Sequence, residues 1–221
     1  MRYHDDAWRF WLGAGLALAL IVAGWSFRGH APERVRVWFR EPGPPPTYVA
    51  VPGLHPALYV NHDRWAAYLA PGSVCPGGED VSAPVTQQEK TMLCLINYAR
   101  RHAGLRRLRA SATLSRSSAY KARDIIRCRQ FVHRACGKAA NAVAAEAGYA
   151  GSVWGENIYL GPDRRGAPRP ALDRWLNSPH HRENLLNPIW RAQGIAVVRA
   201  RRFDYGADAS VWVSEFGTAV R

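Results

Sequence analysis

From Thr86 onward the spacing of apolar residues changes period once, and that change limits the fold more than any other feature of the chain. Met92, Leu93, Leu95, Ile96 and Ala99 recur at helical spacing behind Thr86-Gln87-Gln88-Glu89, which has the form of a capping box. Gly104 ends this first helix. Ser111 predicts the N-cap of a second, with Leu114, Ala119, Ala122, Ile125 and Ile126 on its inner face. A third helix is expected over 170–177. Ser178-Pro179 then supplies an N-cap and a proline at the first position of a short helix that stops at Asn187-Pro188. Beyond that point the period becomes that of strands, at Gly194 to Val198 and at Ser210 to Phe216, separated by a turn near Asp204-Tyr205-Gly206. Helices first and strands last predict an α+β layer fold and exclude alternating βαβ units.

Upstream of this region the chain has a different character. Phe10 to Phe27 is an uncharged run of 18 residues, at the length of about 18 that marks a membrane-spanning helix and beyond the h-region of about 7–15 in a signal peptide. Trp8, Trp11, Trp25 and Phe27 gather at its two ends, as an aromatic belt does. Val22-Ala23-Gly24 also offers small residues for cleavage, so an uncleaved anchor and a cleaved signal both remain open. Ten of the 15 prolines fall within residues 29–85, which predicts an extended spacer. Tyr48, Leu54, Leu58, Tyr59, Trp65, Tyr68 and Leu69 give that spacer apolar surface, so part of it is expected to lie against the domain. The expected organisation is a hydrophobic segment over 1–28, a Pro-rich linker over 29–85 and one domain over 86–221.

The cysteines bear on the compartment. Cys75, Cys94, Cys128 and Cys136 form an even set with no CxxC spacing, which leaves neither a zinc ribbon nor a thioredoxin motif. Behind a hydrophobic segment they read as two disulfides, Cys75–Cys94 and Cys128–Cys136, in an oxidising compartment. Four buried thiols are the alternative. Arg28, Arg34, Arg36 and Arg40 outweigh Arg2 and Arg9 and, by the positive-inside rule alone, would place the domain in the cytoplasm. The cysteines outweigh those loop charges, and the domain is expected outside, anchored by the segment 10–27 or secreted.

The charge is uneven too. Residues 86–221 hold 23 Lys+Arg against 10 Asp+Glu, whereas residues 1–85 hold seven of each, so the net charge of +13 belongs to the domain. Attraction to anionic headgroups or wall polymers follows from such a surface. Charge alone also suggests nucleic acid, but no nucleic-acid motif accompanies it and none is expected as a partner.

No G-x-S-x-G, H-E-x-x-H, Walker loop or dinucleotide fingerprint is present. The domain has four histidines, His102, His133, His180 and His181. His133 lies between Cys128 and Cys136, so a bridge there would pin the segment that presents it. His180 and His181 diverge by about 100° on a helix, and only one of them can face a given cleft. Ser178 lies three residues before His181 and shares its helical face, but its place is the N-cap. Gly155-Glu156-Asn157 follows Trp154, and its carboxylate can equally be an exposed turn residue or an inward ligand.

Taken in order, these pieces resemble the CAP superfamily of cysteine-rich secretory proteins, venom antigens and plant pathogenesis-related proteins, in its bacterial SCP-like form. Leu95-Ile-Asn97-Tyr-Ala-Arg-Arg101 and Gly104 to Leu108 look like the family's first helix and its exit. Ser111 to Asp124 looks like the second helix. Phe131-Val132-His133 resembles the segment bearing one cleft histidine, and Gly155-Glu156-Asn157-Ile158 looks like the GEN motif. Trp175 to Pro188 resembles the block bearing the second histidine, at His181. The resemblance implies a three-layer α–β–α sandwich and, by position, a cleft of His133, Glu156 and His181 suited to a divalent ion such as zinc. The family's eukaryotic members carry a further glutamate where this chain has Ser178, so the site is one carboxylate short, as is common in the bacterial branch, with Glu183 or Asp173 as candidate substitutes. The expected function is a non-catalytic binding module for a lipid-like or cell-envelope ligand. A divalent-metal-assisted hydrolase using His133, Glu156 and His181 is the alternative.

Overall fold

The computed structural model describes residues 65–204 and 207–218. The apolar run 10–27 and the linker as far as residue 64 lie outside them. Among the described residues no helix is long and apolar enough to cross a membrane. A 3-10 turn at Ala66–Tyr68 leads to helix α1 (Val85–His102), the two-residue strand β1 (Arg109–Ala110) and helix α2 (Ala112–Cys128). Helix α3 (Ala140–Glu146) and strand β2 (Trp154–Pro162) follow. Helices α4 (Pro168–Asn177) and α5 (Pro179–Leu185) lead into strands β3 (Ala192–Asp204) and β4 (Ala207–Gly217). One sheet in the order β1-β3-β4-β2 results, with β4 antiparallel to both long neighbours.

Alternation along β4 divides the core into two layers. Trp212 and Phe216 join Ile195 and Val197 against Met92, Leu95 and Ile96 of α1 and Leu172 and Trp175 of α4. Val211 and Val213 point the other way and, with Ile158, meet Ala122 and Ile125 of α2. Helices thus cover both faces of the sheet, an α–β–α sandwich of α+β class. The α2 layer comes very close to the sheet. A Cβ at Gly194 would sit 2.0 Å from the backbone carbon of Leu114, so only glycine allows the helix to rest there.

Local signals in the sequence explain most of the boundaries. The Ser111 hydroxyl accepts from the Leu114 N–H at 3.3 Å and caps α2. Replacing Ser111 by alanine should lower stability by about 1 kcal/mol, read from the urea midpoint at unchanged slope. Gly104 adopts φ 71°, and the Leu105 N–H returns to the Arg100 carbonyl, which closes α1.

The start of α1 departs from the expected capping box. The helix begins at Val85 behind Pro84, with no side-chain cap. Glu89 is turned to the sheet instead, where its Oε1 accepts from the Val197 N–H. Gln88 ties the approach to α1 down by donating to the Val81 and Ala83 carbonyls. Packing on β3 has outcompeted the local cap.

Cysteines pair as Cys75–Cys94 and Cys128–Cys136. The first bridge fastens the described approach to α1. Ala70 and Cys75 are buried in the main core, and Trp65, Tyr68 and Leu69 pack against it. Arg100, wholly buried, donates to the Arg106, Leu185 and Asn187 carbonyls, and so locks the end of α1 to the end of α5.

Candidate functional site

Strand β2 forms one edge of the sheet, and its neighbours Glu156 and Asn157 point to opposite faces. Each of them holds one histidine. On the α2 side, Glu156 Oε1 lies 2.6 Å from His133 Nδ1. On the other side, Asn157 Nδ2 donates to the His181 carbonyl at 2.9 Å, and Asn184 Nδ2 donates to Asn157 Oδ1 at 3.0 Å. Two consecutive strand residues therefore bring the stapled loop and helix α5 together around the sheet edge.

The histidines differ in state. Burial, and then the His133 and His180 rings beside it, push His181 down to about 4, so it is neutral at ordinary pH. His181 Nδ1 is 2.9 Å from Ser178 Oγ. Ser178 stands at the N-cap position of α5, but its side chain caps nothing. The expectation that its hydroxyl serves the helix is corrected here, because the imidazole one turn on competes for it. His133 is half exposed. A carboxylate can only accept a hydrogen bond, so Nδ1 of His133 carries the proton and Nε2 takes no part in the bond to Glu156.

Beneath this edge lies a buried ionic layer. Glu215 on β4 stands directly opposite Glu156 in the ladder. Ser117 Oγ donates to Glu215 Oε1 at 2.9 Å. Lys121, with no exposed surface, lies 4.0 Å from Glu156 Oε1 and donates to the His133 carbonyl. Burial, and next the Glu156 carboxylate, raise Glu215 to about 8, against the pull of Ser117, Trp154 and Lys121. Near neutrality Glu215 therefore keeps its proton. Among the described residues, Glu156 Oε2 is buried there without a hydrogen-bond partner.

Sequence reasoning misses Lys121 and Glu215 as site residues, although a signal for each is present. Lys121 interrupts the stripe Leu114, Ser117, Ser118, Ala122, Ile125 that α2 buries. Ala119 and Ile126 are only half-buried, so the inner face is rotated toward the polar residues. Glu215 shares the parity of Val211 and Val213. The suggested replacements for the absent carboxylate go elsewhere: Asp173 accepts from Asn177 Nδ2, and Glu183 lines a shallow groove with Trp65 and Arg182.

A divalent ion finds suitable donors here but not three converging ones. Among the described residues no group of three His, Cys, Asp or Glu side chains is placed to hold a metal. Glu156 is committed to His133 through Oε1, the arrangement of a carboxylate that orients an imidazole from behind.

Residues 93–216, more than half of the chain, match the cysteine-rich secretory protein family, CAP. The chain belongs to the CAP family. A relative from Bacillus subtilis (strain 168), the uncharacterized protein YkwD, is 29% identical over 158 residues, and the match covers 70% of this chain. The chain spans 57% of that relative's length. The fold also recurs in solved structures. An extracellular protein containing an SCP domain from Bacillus anthracis aligns with a TM-score of 0.53 at 20% identity, over 61% of this chain and 41% of that one. An outer surface protein from Borrelia burgdorferi gives 0.51 at 21% identity, over 61% of this chain and 95% of its own. These likenesses show the CAP fold.

Proposed function

We propose that this CAP domain is an extracytoplasmic binding module that holds a lipid-like or anionic cell-envelope ligand between His133 and His181 without turning it over. The observation that carries this reading is how His181 is held: its Nδ1 lies 2.9 Å from Ser178 Oγ, its carbonyl accepts from Asn157, and burial opposes its protonation. An imidazole held down to about 4 is too weak a base to take a proton from Ser178 or from water near neutral pH. As a hydrogen-bonding group it is ready at every physiological pH. His133, half exposed and fixed by Glu156, supplies the second group, and the surrounding net charge of +13 favours an anionic ligand. Two disulfides support a location outside the cytoplasm, as do relatives described as extracellular and outer surface proteins. The apolar run 10–27 would tether the domain to the membrane or be removed on export.

The half-exposed ring of His133, bonded to Glu156 through Nδ1 only, favours a second reading, in which His133 and His181 hold a divalent ion such as zinc and Glu156 keeps His133 in register. A bound ion would polarise a ligand oxygen or water, the requirement of a metal-assisted hydrolase.

Thermal-shift titration of the oxidised chain separates the two. Anionic lipid headgroups and wall-polymer fragments, in EDTA, should raise the melting temperature of the wild type and not of His133→Ala/His181→Ala. A rise that needs zinc and vanishes in the double variant would favour the metal site and call for hydrolysis screens. Equal ligand shifts in both proteins would remove the cleft from either function.

A further inference from the structure

The loop closed by Cys128–Cys136 is held rigidly, yet it turns its two most apolar side chains to solvent. Lys121 grips the His133 carbonyl, the Cys136 N–H donates to Gln130 Oε1, and the His133 ring is tied to Glu156. Between these fastenings Phe131 and Val132 are 37% and 48% exposed. One exposed apolar residue on a surface is ordinary. Two in succession, on a loop whose conformation is fixed in advance, make a preformed tip that loses little freedom on contact.

The surface around the tip is basic. Tyr120, Arg123 and Arg127 lie at i, i+3 and i+7 on the outward face of α2, and the Arg123 guanidinium sits over the Tyr120 ring. The sole acidic residue of that helix, Asp124, is buried and is already paired with Arg127 at 2.8 Å, so Arg123 is the cation of this face without a carboxylate partner on the helix. Arg129 donates to the Arg202 and Phe203 carbonyls, which joins the loop to the β3–β4 hairpin and its exposed Arg201 and Arg202.

We propose that this face docks on an anionic lipid surface, with Phe131 and Val132 entering the headgroup–acyl boundary and the arginines pairing with lipid phosphates. Charge complementarity selects an anionic partner, and the paired apolar tips select a bilayer over a hydrated anionic polymer, which has no apolar layer to receive them. This docking uses a surface outside the cleft and does not depend on the proposed ligand of His133 and His181. It places the His133 loop at the membrane.

Hydrogen–deuterium exchange of the full chain, reconstituted in phosphatidylglycerol/phosphatidylcholine and in pure phosphatidylcholine vesicles, reads the loop separately from any insertion of the N-terminal segment. The peptide spanning 128–136 should exchange about fivefold more slowly on the anionic vesicles, and the protection should disappear at about 0.5 M NaCl. Phe131→Ser/Val132→Ser should abolish it, while His181→Ala should retain it. Both substitutions in the tip are at exposed positions, and an unchanged melting temperature checks that the fold survives. Equal exchange on the two vesicles overturns the proposal. So does protection that persists in the tip variant, or that is lost in His181→Ala, since contact would then belong to the cleft.

Discussion

Replacing Lys121 by methionine should cost the fold about 3–5 kcal/mol, the range for removing one partner of a buried ion pair. Methionine keeps most of the volume, so the loss is electrostatic. The His133 carbonyl loses its donor, and Glu156 keeps a buried charge beside Glu215 with only His133 to offset it. Urea unfolding at neutral pH measures the cost. Adding Glu156→Gln should recover part of it, and a double-mutant cycle should give a coupling of about 0.5–3 kcal/mol. A loss below about 1 kcal/mol for Lys121→Met would mean that the ammonium contributes no more than an average surface residue. The disulfide Cys128–Cys136 should remain formed, but the His133 loop should become looser and ligand binding at the cleft weaker.

The second large effect is a fall in stability between about pH 6.5 and 8, with a slope approaching 1.4 kcal/mol per pH unit. Glu215 is raised from 4.5 to about 8, so across that window the folded chain holds a proton that the unfolded chain has released. Stability from this group is therefore lost as pH rises. His181 is lowered from 6.5 to about 4, so between those values the unfolded chain holds the extra proton and stability rises with pH. From about 4.5 to 6.5 the two oppose each other and the profile should be nearly flat. Glu89, also raised by burial, adds to the Glu215 direction. The groups facing Glu215 are Ser117 and Lys121 from α2 and Glu156 and Trp154 from β2. Glu215→Gln should abolish the fall above pH 6.5 and leave the rise from His181 intact. Denaturant midpoints across pH 4 to 9 give the profile, and an unchanged alkaline fall in Glu215→Gln would assign it to another group.

The sequence was most informative where side chains act locally. Ser111, the Gly104 stop and the alternation of Val211, Trp212 and Val213 each act within a few residues, and the structure keeps all three. Strand β2 was harder to see. Its segment Trp154-Gly-Glu-Asn-Ile-Tyr-Leu-Gly-Pro162 places a carboxylate and an amide where a half-buried strand usually alternates, because those two residues are the supports of the histidines. Glu89 and Ser178 misled because a helix cap competes with other partners of the same side chain: for Glu89 the distant Val197 N–H wins, and for Ser178 the His181 ring one turn on. The ionic layer of Lys121, Glu156 and Glu215 depends on contacts between residues distant in the chain, and spacing carries only the hint that a charge lies on an apolar face.

The sheet order has a consequence for how such a chain is made. Strand β4 sits between β3 and β2, and Gly217 pairs with both Ala192 and Trp154, so the strand that completes the sheet is the last in chain order among those described. During N-to-C emergence from a ribosome or an export pore, α1, α2 and α4 have no completed sheet on which to close their apolar faces. Closure of the sheet then waits for the last strand, while the short cysteine loops of 19 and 8 residues can already be sealed.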